Sequence, residues 1–161
     1  MILSRRRQLA LMGAAATASL LPARARASTV HEVEMLNKHP EEAKELMVFY
    51  PDIVRAEPGD TIRFLSTDTN HNVQAFKDML PEGVERWKSK IGKDFDLTVG
   101  VEGAYGFFCT PHKSYGMVGL LLVGDVSSNY EELKAVRQRG KAKPRFEAIF
   151  ARADAMLAGE A

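Results

Sequence analysis

Seven consecutive residues, Met117 to Val123, carry no polar side chain. A segment this short and this apolar reads as a strand buried on both faces, so the fold must place protein on each side of it. The segments before it are short and β-like. Val30–Asn37 alternates, with His31, Val33 and Met35 on one face. Met47–Tyr50 and Asp52–Ala56 follow, separated by Pro51. Glu57-Pro58-Gly59-Asp60 has Pro and Gly where a type II turn requires them, and Thr61–Ser66 then sets Ile62 and Phe64 against Arg63 and Leu65. Asn70–Phe76 is expected to be a strand that starts at a histidine. Asp78–Gly92 is mixed, with a turn at Pro81-Glu82-Gly83 and a helical turn near Trp87. Phe95, Leu97 and Val99 alternate, and Gly103–Cys109 is rich in aromatics. Short strands at this spacing predict a mainly β fold, a Greek-key sandwich or barrel.

The pattern changes after Gly124. Ser128-Asn129-Tyr130-Glu131 reads as a capping box with Ser128 as N-cap, predicting a helix to about Arg139 that ends at Gly140. Pro144 suits the first position of a second helix. In that helix Phe146, Ile149, Phe150, Ala153, Met156 and Leu157 recur at helical spacing. This stripe is expected to pack on the sandwich rather than to face a partner. The domain reading is therefore 28–125 as a β-sandwich, with 126–161 as two helices packed on it.

Residues 1–27 stand apart. Met1–Arg7 is basic, Leu9–Leu21 is apolar, Pro22 ends the run, and Ala25-Arg26-Ala27 has the small-x-small form that signal peptidase reads. A membrane-spanning helix needs about 20 apolar residues, so the reading is a signal peptide cleaved after Ala27, with no stable membrane insertion. Ser4-Arg5-Arg6-Arg7-Gln8-Leu9 also resembles a twin-arginine signal, and the choice between the two export routes stays open. Either route places the mature chain outside the cytoplasm. The whole chain has 22 basic and 21 acidic residues. Residues 28–161 keep 17 basic against 21 acidic, a net of −4, which argues against nucleic-acid binding.

There is one cysteine. An intramolecular disulfide and any multi-thiolate metal cluster are excluded. That cysteine opens the sequence Cys109-Thr110-Pro111-His112-Lys113-Ser114-Tyr115-Gly116-Met117, a C-x2-H-x4-M loop between two expected strands. Thiolate, imidazole and thioether together suit copper in both oxidation states. One more imidazole completes two His and one Cys with a weak axial Met, the arrangement of an electron-transfer copper site. Of the remaining histidines, His71 begins a strand in Asn70-His71-Asn72-Val73, while His31 lies in the first strand and His39 in a turn. His71 is the expected fourth ligand. Asn72 follows it directly: its backbone N–H is a candidate donor to the Cys109 sulfur, and its side chain can tie the two loops together. His112, on the loop, is the expected conduit for electrons.

The Cys109–Met117 loop, His71-Asn72-Val73 and the two C-terminal helices resemble the pseudoazurins, blue copper proteins of the cupredoxin fold. So do Met35-Leu36-Asn37-Lys38, Pro58-Gly59-Asp60-Thr61, Lys77-Asp78-Met79-Leu80-Pro81-Glu82-Gly83 and Lys88-Ser89-Lys90-Ile91. The resemblance implies one type 1 copper ion on His71, Cys109, His112 and Met117. It also implies a monomeric periplasmic electron shuttle to a denitrification reductase, notably copper nitrite reductase, with a cytochrome or quinol-oxidising complex as donor. Lys38, Lys77 and Lys113 fit the family's ring of lysines around the copper end, with Pro111 and Tyr115 as an apolar centre. Two other functions fit the residues less well. A copper chaperone must release its metal, and the chain has no Met-rich or His-rich tract. An enzyme needs an open coordination position or further metals, and no catalytic triad, phosphate loop or carboxylate pair stands out. The chain is not expected to be an enzyme.

Overall fold

A computed structural model describes residues 27–159. The expected signal peptide, residues 1–27, lies outside the described residues except for its last position. Eight strands form among the described residues: β1 Val30–Lys38, β2 Leu46–Tyr50, β3 Ile53–Ala56, β4 Thr61–Leu65, β5 Gln74–Ala75, β6 Phe95–Thr98, β7 Gly103–Phe108 and β8 Val118–Val123. They make two four-stranded sheets, β2-β1-β4-β6 and β3-β8-β7-β5, so the architecture is a sandwich with no closed barrel. β1 runs parallel to β4 and β3 parallel to β8, and the other pairs are antiparallel.

Alternation decides which side chains enter the sandwich. Val33 and Met35 of β1, Ile62 and Phe64 of β4, Tyr105 and Phe107 of β7, and Leu121 and Val123 of β8 form its interior. Phe107 packs edge-on against Phe49 and Phe64, with ring centroids 4.8 and 5.2 Å apart. Every residue of β7 and β8 is buried, because the outer face of their sheet is covered too. Leu120 and Leu122 point outward there, beneath helices α1 Tyr130–Ala135 and α2 Ala142–Ala158. Phe146, Ile149 and Ala153 of α2 supply the apolar cover. Met156 of the expected stripe stays exposed. Two ion pairs fasten α2 to the strands: Arg152 grips Asp52 at 2.6 and 3.0 Å, and Arg145 meets Glu45 at 2.9 Å.

Four local expectations are corrected. The strand expected over Asn70–Phe76 shrinks to Gln74–Ala75, because its first half bonds outside any ladder. Asn70 is left-handed (φ 67°), the His71 carbonyl accepts from Gly92, and the Val73 N–H goes to the Ser89 hydroxyl. No helical turn forms near Trp87, whose carbonyl accepts from Ala75 while Lys88 bridges Gln74. Helix α1 starts after Asn129, not Ser128, and ends at Ala135 rather than Arg139. The Asn129 side chain is used elsewhere, accepting from the Ala104 N–H and donating to the Ala104 carbonyl, which locks the helix entrance to β7. Pro144 is the third residue of α2, within the first turn, where a backbone N–H would have no intrahelical acceptor and its absence in proline costs no bond.

Candidate metal centre

The loop between β7 and β8 is closed by its own backbone. The Cys109 N–H donates to the Met117 carbonyl at 3.0 Å, and the Met117 N–H to the His112 carbonyl at 3.2 Å. A 3-10 turn, Lys113–Tyr115, carries the chain between them and ends at Gly116. Gly116 has φ 84°, and a Cβ there would lie 2.8 Å from the Lys141 carbonyl, so only glycine lets the loop rest on the start of α2. The buried ends of the loop, Cys109 and Met117, are both fully inaccessible and belong to the sandwich interior.

His71 enters from the other side. It is fully buried, and its Nδ1 lies 3.8 Å from the Cys109 Sγ and 3.0 Å from the His112 Nδ1. The His112 Nδ1 is 3.6 Å from the same sulfur. The point equidistant from these three atoms lies about 2.0 Å from each, the length of a metal–imidazole bond. Residues 38 and 41 positions apart in number, from a strand entry and a loop, are thus focused on one point. His71, Cys109 and His112 form the group of potential ligands that the described residues bring together. His31 and His39 are elsewhere: His31 Nε2 bonds the buried Asp60 at 3.0 Å, and His39 Nδ1 accepts from the Glu41 and Glu42 N–H groups.

The tautomer of His71 follows from its second nitrogen. Nε2 faces the Asn37 Oδ1 at 3.0 Å and must donate to it, which leaves a lone pair on Nδ1. Asn37 is itself fixed, its N–H donating to the Asp68 carboxylate at 2.6 Å. Asn37 is a positioning residue that sequence reasoning did not single out, because its partner lies 34 positions away. Asn72 is fully buried. Its Oδ1 accepts from the Thr110 N–H at 2.8 Å and its Nδ2 donates to the Ser89 carbonyl, so it ties the ligand loop to the His71 segment.

Burial sets the protonation of all three donors. It pushes the Cys109 thiol up from its ordinary value, opposed by the backbone N–H groups of Asn72 and His112 that bond the sulfur. It lowers His71 to about 4, with the neighbouring His112 adding to the effect, and it lowers His112 as well. At neutral pH both imidazoles are neutral and able to bind a metal. Two neutral imidazoles and a potential thiolate, two of the three residues fully buried, are a copper donor set.

The expected docking residues differ in their surroundings. Lys38 ends β1 beside Asn37, and Lys77 follows Phe76 after β5; both are exposed. The Lys113 ammonium lies 4.6 Å from the centre of the Phe108 ring and 4.7 Å from that of Phe76. Pro111 and Tyr115 are exposed on the loop, and the Tyr115 ring meets His112 edge-on at 6.1 Å.

Residues 34–124 match the copper binding proteins of the plastocyanin/azurin family. A pseudoazurin of Paracoccus pantotrophus is 49% identical over 140 residues, spanning 87% of this chain and 94% of the relative. The solved pseudoazurin structure from Methylobacterium extorquens superposes with a TM-score of 0.72 at 40% identity, covering 77% of this chain and 98% of the other. That from Hyphomicrobium denitrificans gives 0.71 at 36% identity, covering 76% and 97%.

Proposed function

Because the chain belongs to the pseudoazurins, within the plastocyanin/azurin family of copper-binding proteins, we propose that it carries single electrons in the periplasm to a denitrification reductase. Its fold is the cupredoxin fold and its cofactor is copper. The observation that carries the reading is the triangle of His71 Nδ1, Cys109 Sγ and His112 Nδ1, with sides of 3.0 to 3.8 Å around one buried point. These three residues, together with Met117, would hold the copper ion. Bound there, copper supplies one-electron chemistry between Cu(II) and Cu(I).

The chain's own residues make that exchange easy. Once its proton is lost, the Cys109 Sγ would supply the thiolate, and the N–H groups of Asn72 and His112 bond it in place. Asn37 keeps the proton of His71 on Nε2. The sandwich interior excludes water from Cys109 and Met117. The half-buried His112 is the ligand nearest solvent and the route to a partner. Residues 1–27 are a signal peptide, cleaved after Ala27. The mature protein, a sandwich of 28–125 with the 126–161 helices packed on it, is a monomeric carrier rather than an enzyme. It takes electrons from a cytochrome or quinol-oxidising complex and gives them to copper nitrite reductase or a similar acceptor.

Docking at the copper end relies on Lys38, Lys77 and Lys113 around Pro111 and Tyr115, since residues 28–125 are net acidic as a whole. Rim charges act on the association rate and its salt dependence. The Debye length falls from about 30 Å at 0.01 M salt to about 8 Å at 0.15 M. Stopped-flow electron transfer to copper nitrite reductase should therefore slow as salt rises. Lys77→Glu should slow it several-fold at low salt and flatten the dependence, with the visible spectrum unchanged. Equal second-order rates for both proteins at low salt would refute the basic rim.

A further inference from the structure

The α1–α2 connector and the first turns of α2 enclose a groove of about 870 Å³ that the metal centre does not use. Its floor is apolar: Phe146, 1% exposed, stacks on Phe150 with ring centroids 5.3 Å apart. Its walls are cationic. Lys143 is 3.9 Å from Glu147, the acid that lines the groove, but Arg137 and Arg139 are exposed and make no ion pair among the described residues. The surrounding segment concentrates positive charge: residues 126–161 carry 7 basic and 5 acidic residues, whereas 28–125 carry 10 and 16. The connector that lines the groove also reaches the copper loop, since Lys141 follows Gly140 of the groove wall and its carbonyl lies against Gly116. Lys141, at the N-cap of α2, places its ammonium 5.4 Å from the centre of the Tyr115 ring, and Gln138 of the groove wall donates to the sulfur of Met79.

We propose that this groove binds an acidic segment of the protein that docks on the copper end, an apolar side chain of that segment resting on Phe146 and Phe150. Two unpaired guanidinium groups above an aromatic floor recognise carboxylates and an apolar anchor together. A second contact beside the copper loop restricts the partner to one orientation about His112, which a ring of lysines alone does not do. The proposal rests on the electron-carrier reading only for the identity of the partner.

The test is a titration of the Cu(I)-loaded protein, followed by backbone amide NMR, with a synthetic peptide of six glutamates around one leucine. Amides of residues 134–150 should shift. Arg137→Glu with Arg139→Glu should weaken binding at least tenfold, and replacing the peptide's leucine by serine should weaken it further. No binding, shifts confined to residues 109–117, or equal affinity for the double variant would overturn the proposal. So would arginine-dependent binding to phosphatidylglycerol vesicles in place of the peptide, which would assign the groove to a membrane surface. Reversible bleaching of the same samples on reduction is scored separately, so a failed groove and a failed electron-carrier reading give different results.

Discussion

Cys109 is the one donor at the centre that must lose a proton to bind copper. Burial holds its thiol above the ordinary value, so it is protonated at neutral pH before metal is bound. His71, lowered to about 4, and His112, lowered by burial, are neutral at the same pH and have no proton to give. Loading Cu(II) near pH 7 should therefore release about one proton per ion, from the Cys109 sulfur. Calorimetric titration in two buffers of different ionisation enthalpy measures this number directly. A value near zero would mean that the thiolate is already formed, and a value near two would mean that one imidazole starts charged. Asn37 matters here because the proton it accepts from is the one His71 keeps.

At the scale of elements, α2 is held to the second sheet chiefly by apolar burial and only marginally by charge. Phe146 is 1% exposed against the outer face of β7 and β8. Phe146→Ala should cost about 3–5 kcal/mol. Arg152→Ala, which breaks a half-exposed pair with Asp52, should cost about 1 kcal/mol or less. Urea unfolding of the two variants distinguishes them, and equal losses would show that the ion pairs hold the helix. The same contrast explains what was legible in the sequence. The full burial of β8 and the apolar stripe of α2 are written in contiguous residues, and so is the cysteine-to-methionine loop. The β5 region was misread because its backbone partners are Ser89 and Gly92, far along the chain and outside any strand. The helix start expected at Ser128 falls one residue later, because the Asn129 side chain clamps Ala104 of β7, a contact that local pattern does not encode. Asn37 was recognised only as part of a resemblance, since its role exists only once β1 and the His71 loop meet.

For the whole molecule, the buried imidazoles link stability to pH. The folded chain holds His71 near 4, whereas an unfolded histidine titrates near 6.5, so below 6.5 the unfolded chain takes up the proton first. Stability of the metal-free protein should be flat with respect to these histidines above pH 6.5 and fall as pH drops toward 4. The loss from His71 is on the order of 3 kcal/mol at most. Denaturation midpoints at pH 7.5, 6, 5 and 4 would follow it; a midpoint constant across that range would contradict the burial of a neutral His71.

On the proposed reading, one copper ion would sit among His71, Cys109 and His112, bonded to the Cys109 sulfur, and exchange one electron. Visible absorption during a Cu(II) titration of the metal-free protein tests it most directly. An intense blue or green band should saturate at one ion per chain, bleach on one-electron reduction, return on reoxidation and be lost in Cys109→Ser. A colourless stoichiometric complex, or a band that survives Cys109→Ser, would contradict it.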